Sequence, residues 1–290
     1  ISGLKPIQVA AFDLPAFVEA RKEFSRDDWL DLVMRTIGLE PSEYDLRGKL
    51  LALARLIPMA ERNYNLIELG PWGTGKSFVY RESNPNAILI SGGKITAPQL
   101  FVNNSSGRIG LLGRWDVVAF DEVAGLQMSD STVVNMLKDF MESGSFARDK
   151  DEIPAEASIV FIGNTSKPHE ELVRTAHLFA DLPQQMIDPA FLDRLHYYLP
   201  GWEAPKLERR LFTDHFGFVS DFFAEAMRAG ANQGAVACLA LALDLEMTAM
   251  LFCLRSGTRL SAFKTSYDER HAAYSPGMRL LIEASARMLA

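Results

Sequence analysis

The run Gly70, Pro71, Trp72, Gly73, Thr74, Gly75, Lys76, Ser77 fits the pattern G-x-x-x-x-G-K-[ST]. Small residues in such a loop let successive backbone N–H groups point inward at a phosphate. Lys76 then reaches the β- and γ-oxygens, and the Ser77 hydroxyl holds Mg²⁺. Trp72 is large for this position. Only its backbone is required, so its ring either covers a base or faces a neighbour. A phosphate cradle needs one carboxylate to organise the metal and, for hydrolysis, a second to activate water. Asp121 and Glu122 follow the apolar run Val117-Val118-Ala119-Phe120 and suit those roles, Asp121 beside Ser77 on the metal and Glu122 as general base. Asn164 ends another apolar run, from Ser158 to Ile162, and suits a residue that holds the water and senses the γ-phosphate. Arg194, in Asp193-Arg194, is expected at the carboxyl edge of the sheet, within reach of a phosphate in an adjoining subunit. An intramolecular Arg–carboxylate pair is the alternative.

These residues need a frame. Leu66 to Leu69 reads as a buried strand ahead of the cradle, and Ser77 onward can start a helix whose N-terminus faces the anion. Further short apolar runs, Ala87 to Ile90, Val117 to Phe120, Ser158 to Ile162 and His196 to Leu199, alternate with helical segments. That alternation implies an α/β fold with a parallel sheet flanked by helices, its ligand crevice at the carboxyl ends of the strands. Between Ser131 and Ser143, Val133, Leu137, Phe140 and Met141 recur at helical spacing, and Gly144 can end the helix. The following stretch, SFARDKDEIPAEAS, has charges between strand-like pieces and predicts a hairpin projecting Arg148 and Lys150; a solvated loop is the bland alternative.

Three regions result: a helical amino-terminal extension over residues 1–62, the nucleotide core over 63–200, and a helical lid over 201–290. The extension offers Asp27 to Ile37 and Asp45 to Ala60 as amphipathic helices. The lid offers Phe212 to Met227 as its first helix and Arg279 as an arginine reaching the γ-phosphate, against an ordinary surface arginine.

The 290 residues, 48% hydrophobic and 23% charged, are enough for a substantial core. A net charge of −7 and a pI of about 5.4 give no global support for nucleic-acid binding, which would need a local basic patch. Cys238 and Cys253 lie in apolar surroundings without metal-ligand spacing and read as small buried hydrophobes in a reducing, cytoplasmic compartment. The chain starts at Ile1 with no charged-then-apolar leader, which suggests a fragment or trimmed product without a secretory signal. Ala235 to Leu254 has the length of a membrane span, but Asp244 and Glu246 interrupt it. An acidic residue at a bilayer centre costs roughly 2.5–3.5 kcal/mol. A buried helix, with no membrane partner, is the expectation.

The ordered set of P-loop, VVAFDE, strand-borne Asn164 and Asp193-Arg194 resembles the AAA+ ATPases. The helix and hairpin ahead of Asn164 are similar to the minichromosome-maintenance helicases, where such a hairpin carries basic residues into a pore that holds DNA. Longer stretches, ERNYNLIELGPWGTGKSFVYRE, LFVNNSSGRIGLLGRWDVVAFDEVAG, MESGSF, AEASIVFIGN and FLDRLHYYLPGWE, resemble the BREX phage-defence Lon-like (BrxL) family, over about Phe12 to Ala229. The resemblance implies an ATPase that uses ATP and Mg²⁺, assembles as a hexamer-like homo-oligomeric ring, engages double-stranded DNA and acts with other BREX components. Arg148 and Lys150 carry over as pore-hairpin residues and Arg194 as the finger between subunits.

Two departures stand out. The family is named for a carboxyl-terminal protease-like domain, and no Ser/Lys pair here sits in the context of a peptidase dyad. The stretch after Ala229 also leaves the family pattern. A Lon-like protein unfoldase, its protease domain outside this chain, is the alternative function. Its usual grip is an aromatic pore loop, whereas SFARDKDE is charged with Phe146 its single aromatic. A scaffold that binds ATP without hydrolysing it would not need Glu122.

Overall fold

Five apolar runs become the strands β1 (Leu66–Gly70), β2 (Ala87–Ser91), β3 (Val117–Asp121), β4 (Ser158–Asn164) and β5 (Tyr197–Pro200). In the computed structural model they form one sheet in the order β5-β1-β4-β3-β2, every neighbour parallel. Parallel neighbours require crossovers, and the strand interiors are apolar apart from Glu68 in β1. Leu66, Ile67, Leu69, Val118, Phe120, Ile159 and Phe161 are fully buried. Phe120 and Phe161 lie in register on adjacent strands and stack with centroids 5.5 Å apart. The structure describes residues 13–103, 105–128, 131–148, 151–218, 220–232, 236–243, 246–256, 259–262 and 266–267.

The chain divides into two compact units, 54–212 and the pairing of 1–53 with 213–290. The first holds the sheet. Its longest helix, Ser131–Ser143, buries Val133, Val134, Leu137, Phe140 and Met141 and ends where Gly144 N–H donates to the Phe140 carbonyl at 2.8 Å. The expected hairpin follows, Ser145–Arg148 pairing antiparallel with Asp151–Pro154.

Polar residues tie together the amino ends of the strands. Asn65 is fully buried; its Oδ1 accepts from Ile159 N–H at 3.1 Å and its Nδ2 donates to the Met141 carbonyl at 3.4 Å. Its backbone N–H donates to His196 Nδ1 at 2.9 Å, and its carbonyl accepts from His196 N–H at 2.8 Å. Ser158 Oγ accepts from Tyr64 N–H and donates to the Glu61 carbonyl, both at 2.9 Å. β1, β4, the approach to β5 and the end of the long helix are thereby locked at one edge.

In the second unit, Arg26–Thr36 starts at Ser25, whose hydroxyl accepts from Asp28 N–H, close to the expected bounds. The helix expected from Asp45 to Ala60 is divided into Leu46–Ala54 and Ile57–Ala60, the latter within the unit 54–212, because Pro58 has no N–H to donate into a continuous ladder. Phe17, Trp29, Phe218 and Phe222 form an aromatic cluster, with Arg21 4.6 Å from the Trp29 ring centroid. The helix Ser220–Asn232 stands in place of the expected Phe212 to Met227. Ala235 to Leu254 is corrected from helix to strand: Val236–Leu243 and Glu246–Ser256 pair antiparallel with a bulge at Leu241/Ala242. A run apolar on all sides has no period to separate helix from strand, and Glu246 opens the second strand. Among the described residues no helix is long and apolar enough to cross a membrane. Arg279 lies outside the described residues.

Candidate nucleotide site

β1 ends at Gly70, and the helix Lys76–Glu82 begins directly after the loop. Gly73 and Gly75 adopt φ of +82° and +77°, a conformation L side chains rarely take. A Cβ on Gly75 would also lie 2.8 Å from Leu207 Cδ1. Leu207 N–H donates to the Gly73 carbonyl at 2.7 Å, so the segment after β5 braces the loop. The Trp72 ring is 70% exposed with the Lys206 ammonium 4.1 Å from its centroid; the ring points outward and pairs with a cation.

Lys76 is buried, and its ammonium donates to the Gly70 carbonyl (3.1 Å), the Pro71 carbonyl (2.5 Å), Thr74 Oγ1 (3.4 Å) and Asn164 Oδ1 (3.3 Å). Burial pulls its pKa below the usual lysine value, Glu68 and Asp121 oppose that pull, and Arg55 adds to it. Gly70 and Asn164 lie opposite each other in the β1–β4 register, which brings the strand-end amide to the P-loop lysine. Ser77 is half-buried on the first turn of the helix.

Asp121 closes β3, and its Oδ1 accepts from Glu122 N–H at 2.9 Å. Glu122 is exposed at φ +53°, a left-handed conformation that costs a non-glycine residue about 1–3 kcal/mol. Its carboxylate lies over the turn that follows β2: a Cβ on Gly92 would sit 3.6 Å from Glu122 Oε2. Sequence reasoning missed this Gly92-Gly93 turn and the Leu207 brace. The paired glycines just after a strand were the only signal for the former.

The structure thus brings Lys76, Asn164 and the Asp121 charge together, with Glu122 next in the chain. Arg194 stands elsewhere and its expected place is corrected. It precedes β5, and in a parallel sheet whatever precedes a strand lies at the amino edge, opposite the cradle. It forms the intramolecular pair, with the Glu142 carboxylate as partner, and donates to the Ala190 carbonyl. Arg148 closes the first hairpin strand opposite Asp151 in register. Lys150 lies outside the described residues. Phe146 is buried, its ring 5.6 Å from that of Phe101 and 6.2 Å from that of Phe140.

The family model described as "Lon-like protease BrxL-like, ATPase domain" matches residues 1–249, running past Ala229 where the likeness was expected to stop. The chain is 51% identical over 225 residues to the Lon-like protease BrxL of Escherichia coli O9:H4 (strain HS), covering 78% of this chain and 32% of that protein. It is 48% identical over 229 residues to the Lon-like protease BrxL of Bacillus cereus (strain H3081.97), covering 79% of this chain and 34% of that protein. The chain therefore spans about a third of the length of these curated relatives.

Proposed function

The chain belongs to the family of BrxL-like ATPase domains, and on that premise we propose that it hydrolyses ATP with Mg²⁺, assembles into a ring and engages double-stranded DNA in antiphage defence. The observation that carries the reading is the convergence of Lys76, Asp121, Glu122 and Asn164 at the carboxyl ends of β1, β3 and β4.

Nucleotide binding exchanges the carbonyl acceptors of Lys76 for phosphate oxygens, a natural trade for an ammonium held in a partly desolvated loop. The left-handed turns at Gly73 and Gly75 free the loop N–H groups for the anion. Glu122 accepts the proton of the attacking water, Asn164 orients that water, and Lys76 stabilises charge building on the phosphoryl oxygens. Mg²⁺, when bound by Ser77 and Asp121, supplies neutralisation of phosphate charge.

Arg194 bears on assembly only through its place: from the amino edge it cannot serve its own cradle, so any role on a phosphate belongs to a neighbouring subunit and requires release from Glu142. The hairpin weighs against an unfolded polypeptide as the substrate: Phe146, its single aromatic, is buried in the core and so is committed away from the aromatic grip usual for an unfoldase. Steady-state hydrolysis with and without duplex DNA, beside Glu122→Gln, tests the reading. Stimulation by DNA that vanishes in the variant is expected. Hydrolysis indifferent to DNA but raised by an unfolded protein would replace it with the unfoldase, and ATP bound without turnover would leave only a scaffold.

A further inference from the structure

In the middle of β1, Glu68 has no exposure to solvent. Arg55, 4% exposed, meets it in a two-pronged contact, Nε to Oε2 at 3.0 Å and Nη2 to Oε1 at 2.6 Å. A buried ion pair is poor evidence for stability, because desolvation cancels most of the attraction and well-packed apolar side chains of similar volume often do as well. The charge needs another reason, and Arg55 supplies it: Nη2 also donates to the Thr74 carbonyl, inside the P-loop, at 3.3 Å.

A trans peptide is planar, so its C=O and the next residue's N–H point in opposite directions. Anchoring the Thr74 carbonyl on the buried guanidinium therefore aims Gly75 N–H the other way, into the cradle. Glu68 stands two residues before Gly70, and its charge raises the proton affinity of Lys76 against the lowering by burial and by Arg55. The chain just after β5 passes close to the same side chain, since a Cβ on Gly201 would lie 3.2 Å from Glu68 Cγ. Tyr80, on the helix after the loop, is fully buried, and its hydroxyl has no hydrogen-bond partner among the described residues; burial pushes its pKa up, with Glu68 adding to the rise and Arg55 opposing it.

We propose that Arg55 and Glu68 are positioning residues of the nucleotide site: Glu68 orients the guanidinium, the guanidinium holds the Thr74 carbonyl, and the loop is thereby pre-set for phosphate. The proposal rests on ATP being the cradle's ligand. Its function is to orient N–H donors before the nucleotide arrives, so ATP affinity should respond more than turnover or folding.

The test uses the full chain with Mg²⁺ and a fluorescent ATP analogue, with KM and kcat for hydrolysis and a thermal midpoint taken in parallel. Arg55→Lys keeps the positive charge but cannot span the carboxylate and the Thr74 carbonyl together. The double variant Arg55→Met/Glu68→Leu removes both charges at similar volume. In both, analogue affinity should fall and KM rise about tenfold, as for one lost hydrogen bond to a charged group, with kcat and thermal midpoint much less affected. Unchanged affinity in a folded variant overturns the proposal, as does a lowered midpoint with affinity intact, which would make the pair purely structural. If the double variant does not fold, Arg55→Lys decides alone. A parent chain that binds no analogue would sink the nucleotide reading and this proposal with it, whereas binding equal in parent and variants would sink this proposal only.

Discussion

At the carboxyl edge of the sheet the chain leaves β1, β3 and β4 through Gly70, Asp121 and Asn164. At the amino edge it enters β1, β4 and β5 past Asn65, Ser158 and His196. The first edge carries left-handed residues at Gly73, Gly75 and Glu122, an exposed Glu122 and Asn164, and a lysine with two backbone carbonyls among its four acceptors. The second carries a buried amide bonded to two distant segments, at Met141 and Ile159, and a buried hydroxyl bonded twice to one, at Glu61 and Tyr64. Strain and spare hydrogen-bonding capacity gather where a ligand can use them; polar groups that must only hold strands together are bonded to each other. Removing a side chain should therefore cost activity at one edge and stability at the other.

Lys76→Ala is the largest break expected. Hydrolysis should fall at least about a hundredfold, as when a preorganised electrostatic group is removed from an active site. The thermal midpoint should hold or rise, because burial already disfavours this ammonium. A large drop in midpoint would show that the lysine is part of the scaffold and would blur the contrast.

Asn65→Ala is the mirror experiment. It orphans the buried Ile159 N–H and removes the donor to the Met141 carbonyl, a loss of about 2–3 kcal/mol in denaturant unfolding. KM for ATP should stay within about twofold, since additivity between distant sites leaves little coupling. An equal loss of affinity would mean that the two edges are not independent.

The carboxyl edge was legible because its chemistry is local: phosphate binding needs small residues, Lys and Ser in one contiguous run, and the acidic pair and Asn164 each end an apolar strand. The amino edge was not. Asn63, Asn65, Ser158 and His196 make contacts across 76 to 131 positions, and each taken singly looks like an ordinary turn residue. Arg55 was illegible for the same reason, although a glutamate inside the apolar LIELG demanded a buried partner. Arg194 was assigned to the wrong edge because its role was read from its neighbours in sequence, not from the direction of β5.

Arg194→Ala sharpens the comparison, since it puts a residue of the locked edge to a functional test. Its pair with Glu142 is partly exposed, so stability should change by no more than about 1 kcal/mol. Hydrolysis should drop far more than that. If the arginine acts on a neighbour, mixing Arg194→Ala with Lys76→Ala chains should restore part of the activity that neither has alone, because some subunit boundaries would then join an intact cradle to an intact arginine. No recovery in mixed assemblies would count against a role in trans.

The smallest effect concerns the second ion pair on the same helix. Lys138 and Glu142, one turn apart on Ser131–Ser143, hold Asp188 and Arg194 and so fasten both ends of the segment that leads into β5. The Lys138 ammonium bonds Asp188 at 3.2 Å and holds its carboxyl below the usual aspartate range, helped by the Ala190 N–H that Asp188 caps. A carboxyl with a lowered folded-state pKa contributes stability above its unfolded pKa and loses it as pH falls through the folded one. Lys138→Met should therefore move the Asp188 midpoint up toward the ordinary value, read by carboxyl NMR titration, with thermal stability at neutral pH scarcely altered for so exposed a group. If the midpoint does not move, the cap alone sets it, and Arg194 is fastened to the helix through Glu142 without help from Lys138.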